Sequence, residues 1–540
     1  MMASTGNIKM KLRKILTAGA CVLALGMGVA HAETFKWSFQ GDVQSLDPHG
    51  LNETFTLGFL GNVYEGLTAY DSNLQIQPGL AVSWENTAPT TWVFKLREGV
   101  KFHNGADFTA DDVIFSWKRS LTPGSDMKGY GSRMSDIKKI DDYTVQVETP
   151  APNPILPREL AFYYIMDKEW SEEHNSAEAT SPKAADATAT FAAQNANGTG
   201  PFILTERQPD VRSKFTRFDG YWKDIPSNVT EVYFTPIAQG ATRVAALISG
   251  ELDMVYPVPV QDWKRLDSAE GVRPLTGPEA RTIFLGMDQW RDELLYSSVK
   301  GKNPFKDARV REAMAHAIDL NAIDEKIMRG AAVPAGLLLA PQINGFDQAL
   351  NNPYAYDPEK SKMLLAEAGY PDGFELGMDC PNNRYVNDEK ICQAVVGLLA
   401  RVGIKVDLNA QPKSKYFAKV SPQNGNDTSF YLLGWTPSSM DVHNILYNLM
   451  SSFDAEKNTG QFNYGHYSNA RIDEIAGNVE METDQVKRQE MVAEAFTILQ
   501  KEVGYLPLHQ QPLSWGVRDG ISLSQRADNV LDMRYVVIDK

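Results

Sequence analysis

The chain has 540 residues, is 43% apolar and 10% aromatic, and carries a formal charge of −15. That charge excludes nucleic-acid binding by phosphate neutralisation and disfavours adsorption to anionic lipid. The apolar content is that of a well-buried globular protein. The length requires at least two domains, because single cores stop growing near roughly 250–300 residues.

At the N-terminus Lys11, Arg13 and Lys14 precede an apolar run from Ile15 to Ala30, and Ala30-His31-Ala32 puts small residues where a signal peptidase reads. The segment 1–32 therefore reads as a signal peptide cleaved after Ala32, with Met10 the expected start, which sends the protein across a membrane. A lipoprotein cut before Cys21 is the competing reading. Ala18-Gly19-Ala20 lacks the usual leucine, and the apolar run continues past Cys21. No later apolar run is long enough to span a bilayer.

The first half is rich in strands. Trp92, Phe94 and Leu96 alternate, Asn104-Gly105 is a turn dipeptide, and Thr109 is placed to cap a helix whose first turn holds Asp111 and Asp112. Tyr143, Val145 and Val147 alternate again. Ser171 to Asn197 is polar and reads as a surface excursion that ends at Gly198-Thr199-Gly200-Pro201.

Further on, Val310, Met314, Ala317 and Ile318 make one helical stripe, and Asp357-Pro358 starts another helix. Phe374, Leu376 and Met378 alternate, a helix follows from about Asp388 to Gly403, and Ile404, Val406 and Leu408 alternate once more. Strand, helix, strand at this spacing is a βαβ unit and predicts a parallel pair, so the fold class is α/β. Beyond the leader the chain keeps Cys380 and Cys392. An even pair in an oxidising compartment reads as a disulfide.

No Gly-x-Ser-x-Gly elbow, His-Glu-x-x-His pair or phosphate-binding Lys loop is present, and the histidines are scattered. No catalytic residue, metal or cofactor is expected, and a cleft between domains that binds a small solute is the natural use of this architecture.

Leu80 to Arg119 closely resembles the signature of the family 5 extracellular solute-binding proteins, the dipeptide, oligopeptide and nickel group. Asn62 to Leu67, Gly198 to Phe202, Tyr221-Trp222, Asn303-Pro304-Phe305, Ala308 to Ala313, Ala317-Ile318-Asp319, Gly434-Trp435 and Tyr467-Ser468-Asn469 resemble its other elements in order.

The resemblance implies a two-lobed periplasmic-binding-protein (flytrap) fold. Lobe I would be 33–281 with an extra β-rich subdomain at about 77–199, lobe II 282–507, and 508–540 a return to lobe I. Crossovers are expected near Ile283-Phe284-Leu285 and Tyr505-Leu506-Pro507. The implied function is the periplasmic substrate-binding component of an ABC transporter: a monomer in the Gram-negative periplasm that delivers short peptides to inner-membrane permease subunits. A non-peptide solute (an opine-like conjugate, oligosaccharide, haem or metal chelate) and, remotely, a secreted hydrolase are the alternatives.

In the family's dipeptide receptors an arginine of lobe II holds the ligand carboxylate, and an aspartate three residues after the Gly-Trp tryptophan holds its ammonium. Arg384 is the candidate arginine. Ser438 stands in the aspartate's place, and Asp441 is the nearest acid downstream. Trp435 is expected to stack on the ligand, and Tyr64 is a family-level pocket candidate.

Overall fold

The computed structural model describes residues 33–183, 190–482 and 484–539. The expected leader, with Cys21 and the cleavage after Ala32, lies outside them, as does part of the polar excursion (184–189).

One 11-stranded sheet runs through the molecule. At one end the parallel strands Glu375–Pro381 and Lys405–Gln411 flank the helix Asp388–Ala400, the βαβ unit expected from the alternation. At the other end Glu33–Ser38 pairs in parallel with Val229–Phe234, which is continued antiparallel by Arg212–Arg217 and Phe202–Gln208. Two long antiparallel strands, Val272–Met287 and Leu506–Arg518, join the two ends. Their ladder is interrupted between Pro278 and Thr282, just before the expected crossover at Ile283.

Strand alternation builds the cores. Ile283, Leu285, Phe430 and Leu432 enter one buried cluster with the stripe Val310, Met314 and Ala317, while Phe284, Tyr431 and Leu433 enter a second on the opposite face. Side chains that point alternately to the two faces of a sheet covered on both sides require this division. A third cluster, with Phe35, Trp37, Phe55, Phe234 and Trp515, fills the other lobe.

A separate four-stranded antiparallel sheet packs its own core of Trp92, Phe94, Val145 and Val147. Beside it the helix Ala110–Ser120 starts with the reciprocal Thr109–Asp112 capping box. Asp357 likewise caps Pro358–Glu367, accepting from the Lys360 amide at 2.9 Å. Cys380 and Cys392 are disulfide-bonded. His103, scattered among polar turns in the sequence, bonds the Gly200 carbonyl at 2.8 Å. Among the described residues no helix is long and apolar enough to cross a membrane.

Candidate functional site

A cleft separates the two ends of the sheet. The space between its walls, counted to the mouth, is about 740 Å³. One wall carries Glu53, Tyr130, Phe162, Lys183 and Asp528; the other carries Arg384, Tyr385, Phe417, Trp435, Ser438 and Phe462, with Arg281 at the floor.

Strand Phe430–Trp435 delivers the Gly-Trp pair to this cleft. Gly434 sits so close to Tyr385 and Ile283 that a Cβ would lie 2.8 Å from Tyr385 Cε1 and 2.6 Å from Ile283 Cδ1. A side chain here would displace the Tyr385 ring, whose hydroxyl donates to the Gly434 carbonyl at 3.3 Å. Next to it, Trp435 Nε1 donates to Asn444 Oδ1 at 2.8 Å, and Asn444 Nδ2 donates to Tyr130 Oη at 3.1 Å. Tyr130 also hydrogen-bonds Ser438 across the cleft. Burial pushes the Tyr130 hydroxyl up, so it stays a neutral donor. Ser438 thus faces a hydroxyl, not a carboxylate.

Arg384 lies in the disulfide-closed loop. Its Nε is 2.9 Å from Glu53 Oε1, though the pair is out of hydrogen-bond alignment. Lys413 Nζ approaches the other Glu53 oxygen at 3.6 Å. Glu53 itself caps the helix Thr54–Leu60, accepting from the Thr56 amide and hydroxyl at 2.9 Å each. Burial alone would raise the Glu53 carboxyl; the Arg384 and Lys413 charges overcome it and hold the group below the usual carboxylate range. Burial works to lower Arg384, and the Glu53 charge reverses that. Asp388 fixes this loop by accepting from the Arg384 and Tyr385 amides at 2.8 and 2.9 Å, and burial pushes its carboxyl up to about 7.

Of the residues expected at the site, Arg384, Trp435 and Ser438 line the cleft. Asp441 does not. Met440 adopts a left-handed φ of 50°, and the chain turns so that Asp441 is fully buried on Arg488, Asn344 Nδ2 and the His443 amide. Its carboxylate is paired with the Arg488 guanidinium. Tyr64, the family-level pocket candidate, does not line this cleft. It is fully buried in the first lobe's core, near Tyr164, with its hydroxyl accepting from the Asn197 amide.

Glu53, Lys413, Arg281, Lys183, Tyr130 and Asp528 were not foreseen. Each comes from a segment remote in sequence, and no local spacing marks them. Arg281 is held by Glu279 at 2.7 Å, Lys183 by Asp126 at 2.6 Å, and Asp528 by Arg526.

Two lobes on one sheet, joined by a pair of long strands and bridged over a cleft by side chains of both, define a two-lobed binding protein. The family model described as "Bacterial extracellular solute-binding proteins, family 5 Middle" matches residues 75–457. The chain belongs to this family of extracellular solute-binding proteins.

Among curated relatives, the "Glutathione-binding protein GsiB" of Pectobacterium atrosepticum is 27% identical over 489 residues, 89% of this chain and 90% of that protein. The protein of the same name from Escherichia coli O157:H7 is 27% identical over 470 residues, 86% of each. Among solved structures, the periplasmic binding protein DppA from Helicobacter pylori in complex with the peptide STSA superposes with a TM-score of 0.83 at 23% identity, covering 94% of this chain and 98% of that one. AgaA from A. tumefaciens R10, in complex with agropinic acid, gives 0.81 at 22%, covering 94% and 99%. These relatives are binding proteins, and the structural likenesses fix the two-lobed fold.

Proposed function

We propose that the protein is the periplasmic substrate-binding component of an ABC importer, capturing short peptides by lobe closure and handing them as a monomer to the inner-membrane permease. The observation that carries the reading is the cleft itself. Aromatic side chains (Trp435, Tyr385, Phe417, Phe462) and charged ones (Glu53, Lys183, Arg281, Arg384, Asp528) line it together, which suits a backbone with polar ends and variable side chains. Ligand that touches both walls stabilises only the closed form, so its binding energy shifts that population. The GsiB names support a short, carboxylate-bearing peptide.

In this reading lobe I comprises 33–281 with its subdomain at about 77–199 and the return 508–540, and lobe II comprises 282–507. The turning point is the ladder interruption at Pro278–Thr282. A second reading is favoured by Ser438: the position facing Tyr130 holds no carboxylate, which suits a ligand without a free α-amine, such as a blocked peptide or an opine-like conjugate. An isolated ammonium there would cost several kcal/mol.

Calorimetric titration with glutathione, dipeptides, their N-acetyl forms and an opine-type conjugate tests both. Micromolar or tighter binding of free peptides supports the first reading. Binding of only the amine-blocked compounds replaces it with the second, and turnover of any of them overturns both.

A further inference from the structure

We infer that Arg133 is a clasp between the lobes: it reaches from the β-rich subdomain to Glu480 and Tyr447 of lobe II, draws the lobes together through protein groups alone, and so scales the affinity of every ligand alike. The inference rests on the lobe division proposed above and is independent of which ligand the cleft takes. It assigns the extra subdomain a part in closure.

Geometry is the first argument. Arg133 follows the short helix Lys128–Gly131, and its amide donates to the Tyr130 carbonyl at 3.1 Å. Its side chain is buried. Nη1 donates to Glu480 Oε1, near the end of the helix Ala470–Met481. The guanidinium lies over the Tyr447 ring, 3.7 Å from its centroid, a stack that strengthens as water is excluded. Arg133 belongs to 33–281, and Glu480 and Tyr447 to 282–507, so both contacts cross the boundary. Tyr130, three residues earlier, crosses it too, to Ser438 and Asn444. Arg133, Tyr447 and Glu480 do not line the cleft, so the clasp lies outside the ligand's own contacts.

Charge is the second argument. Among the described residues Arg133 is the only arginine or lysine within ion-pair reach of Glu480. The other Glu480 oxygen is 3.6 Å from His443 Nε2, but burial holds that imidazole well below its ordinary range, so it is neutral, and both its nitrogens lack a hydrogen-bond partner. Arg488, the neighbouring cation of lobe II, is paired with Asp441. On the lobe I side Arg133 Nε is 3.5 Å from Glu159 Oε1. Burial pushes the Glu159 carboxyl up to about 7, against the lowering effect of Arg133, and Asn153 donates to it at 2.8 Å. Near neutral pH Glu159 is thus only partly ionised, and the full counter-charge of Arg133 sits across the boundary. Desolvation opposes a buried pair. Here Tyr447 covers the face of the guanidinium and Glu159 its Nε edge, so closure leaves no bare cation. Parting the lobes removes Glu480 and Tyr447 from Arg133 together.

A ligand's apparent dissociation constant is its intrinsic one divided by the fraction of molecules able to close. Weakening the clasp lowers that fraction and leaves the ligand contacts as they were. The test uses the full mature protein, its Glu480→Gln and Glu480→Ala variants, and Tyr447→Leu, which keeps bulk and removes the π face. Small-angle X-ray scattering of the ligand-free proteins should give each variant a larger radius of gyration than wild type. Calorimetry with glutathione, Ala-Ala and N-acetyl-Ala-Ala should show every ligand that binds weakened by one common factor, about tenfold for loss of a close charge pair. Melting curves verify that each variant is folded.

Scattering identical to wild type in the folded Glu480 variants overturns the clasp and leaves the importer reading standing. Weakening of some ligands and not others also overturns it, because Glu480 would then act on the ligand itself. If no member of the panel binds, the peptide reading falls, and the scattering comparison still decides the clasp.

Discussion

Ser438→Asp restores a carboxylate where dipeptide receptors of the family carry one, and the structure gives its magnitude. Ser438 is half-buried at the cleft, hydrogen-bonded to Tyr130, which is itself held by Asn444. An aspartate there keeps a hydroxyl donor for one oxygen and offers the other to a ligand ammonium. At about 4 Å and an effective dielectric near 20, the bare attraction is about 4 kcal/mol. Desolvation of the new carboxylate removes part of that, and charge-assisted hydrogen bonds measured in proteins net about 1.5–3 kcal/mol. Free-amine dipeptides should therefore bind about 10- to 150-fold tighter to the variant. N-acetyl dipeptides, with no ammonium, should gain nothing. Paired calorimetric titrations of Ala-Ala and N-acetyl-Ala-Ala isolate the effect, because fold damage or altered closure changes both ligands alike. An unchanged ratio between the two would refute the placement of Ser438 at the ligand's amine.

Asp388 makes stability fall with rising pH. Its carboxyl ionises at 3.8 when unfolded and at about 7 when folded, so the folded state holds the proton more tightly and stability is lost progressively between those values. Asp388→Asn should flatten that part of a melting-temperature profile, and an unaltered slope would remove Asp388 as its source. Glu53 has the opposite sign. Its folded carboxyl sits below the ordinary value of 4.5, so its contribution is complete above that pH and fades as acid protonates it, an effect Glu53→Gln should abolish. Replacing Cys380 and Cys392 by serine opens a short loop. It should cost about 3 kcal/mol in denaturant titrations and weaken ligand several-fold, because Arg384 and Tyr385 hang from that loop. Asp441→Asn strands the buried Arg488 and should cost about 3–5 kcal/mol of stability while leaving the affinity of folded protein unchanged. A selective loss of amine-bearing ligands would return Asp441 to the site.

What could be read from the chain was what local physics dictates. Trp92, Phe94 and Leu96 alternate because one face of their sheet is buried, and Thr109 and Asp357 cap helices through atoms two or three residues away. The βαβ unit around Asp388–Ala400 follows from the same short-range periods. The site obeys no such period. Glu53 enters it from a helix cap, Lys413 from the start of another helix, and Tyr130 from the short helix Lys128–Gly131, and only the tertiary fold brings them together. Sequence distance places Ser438 at the cleft but does not place Asp441: it is three residues further on, yet after the left-handed Met440 its carboxylate pairs with Arg488. Tyr64 shows the same limit from the other side, since a tyrosine that packs its ring in a core and satisfies its hydroxyl on an amide looks identical, as a letter, to one that greets a ligand. Gly434 was legible as a motif but not as a cause; the cause is the Tyr385 ring lying where a Cβ would be, which couples the Gly-Trp strand to the loop bearing Arg384. The glycine of the motif is therefore a packing requirement that positions the site, while its tryptophan lines the cleft.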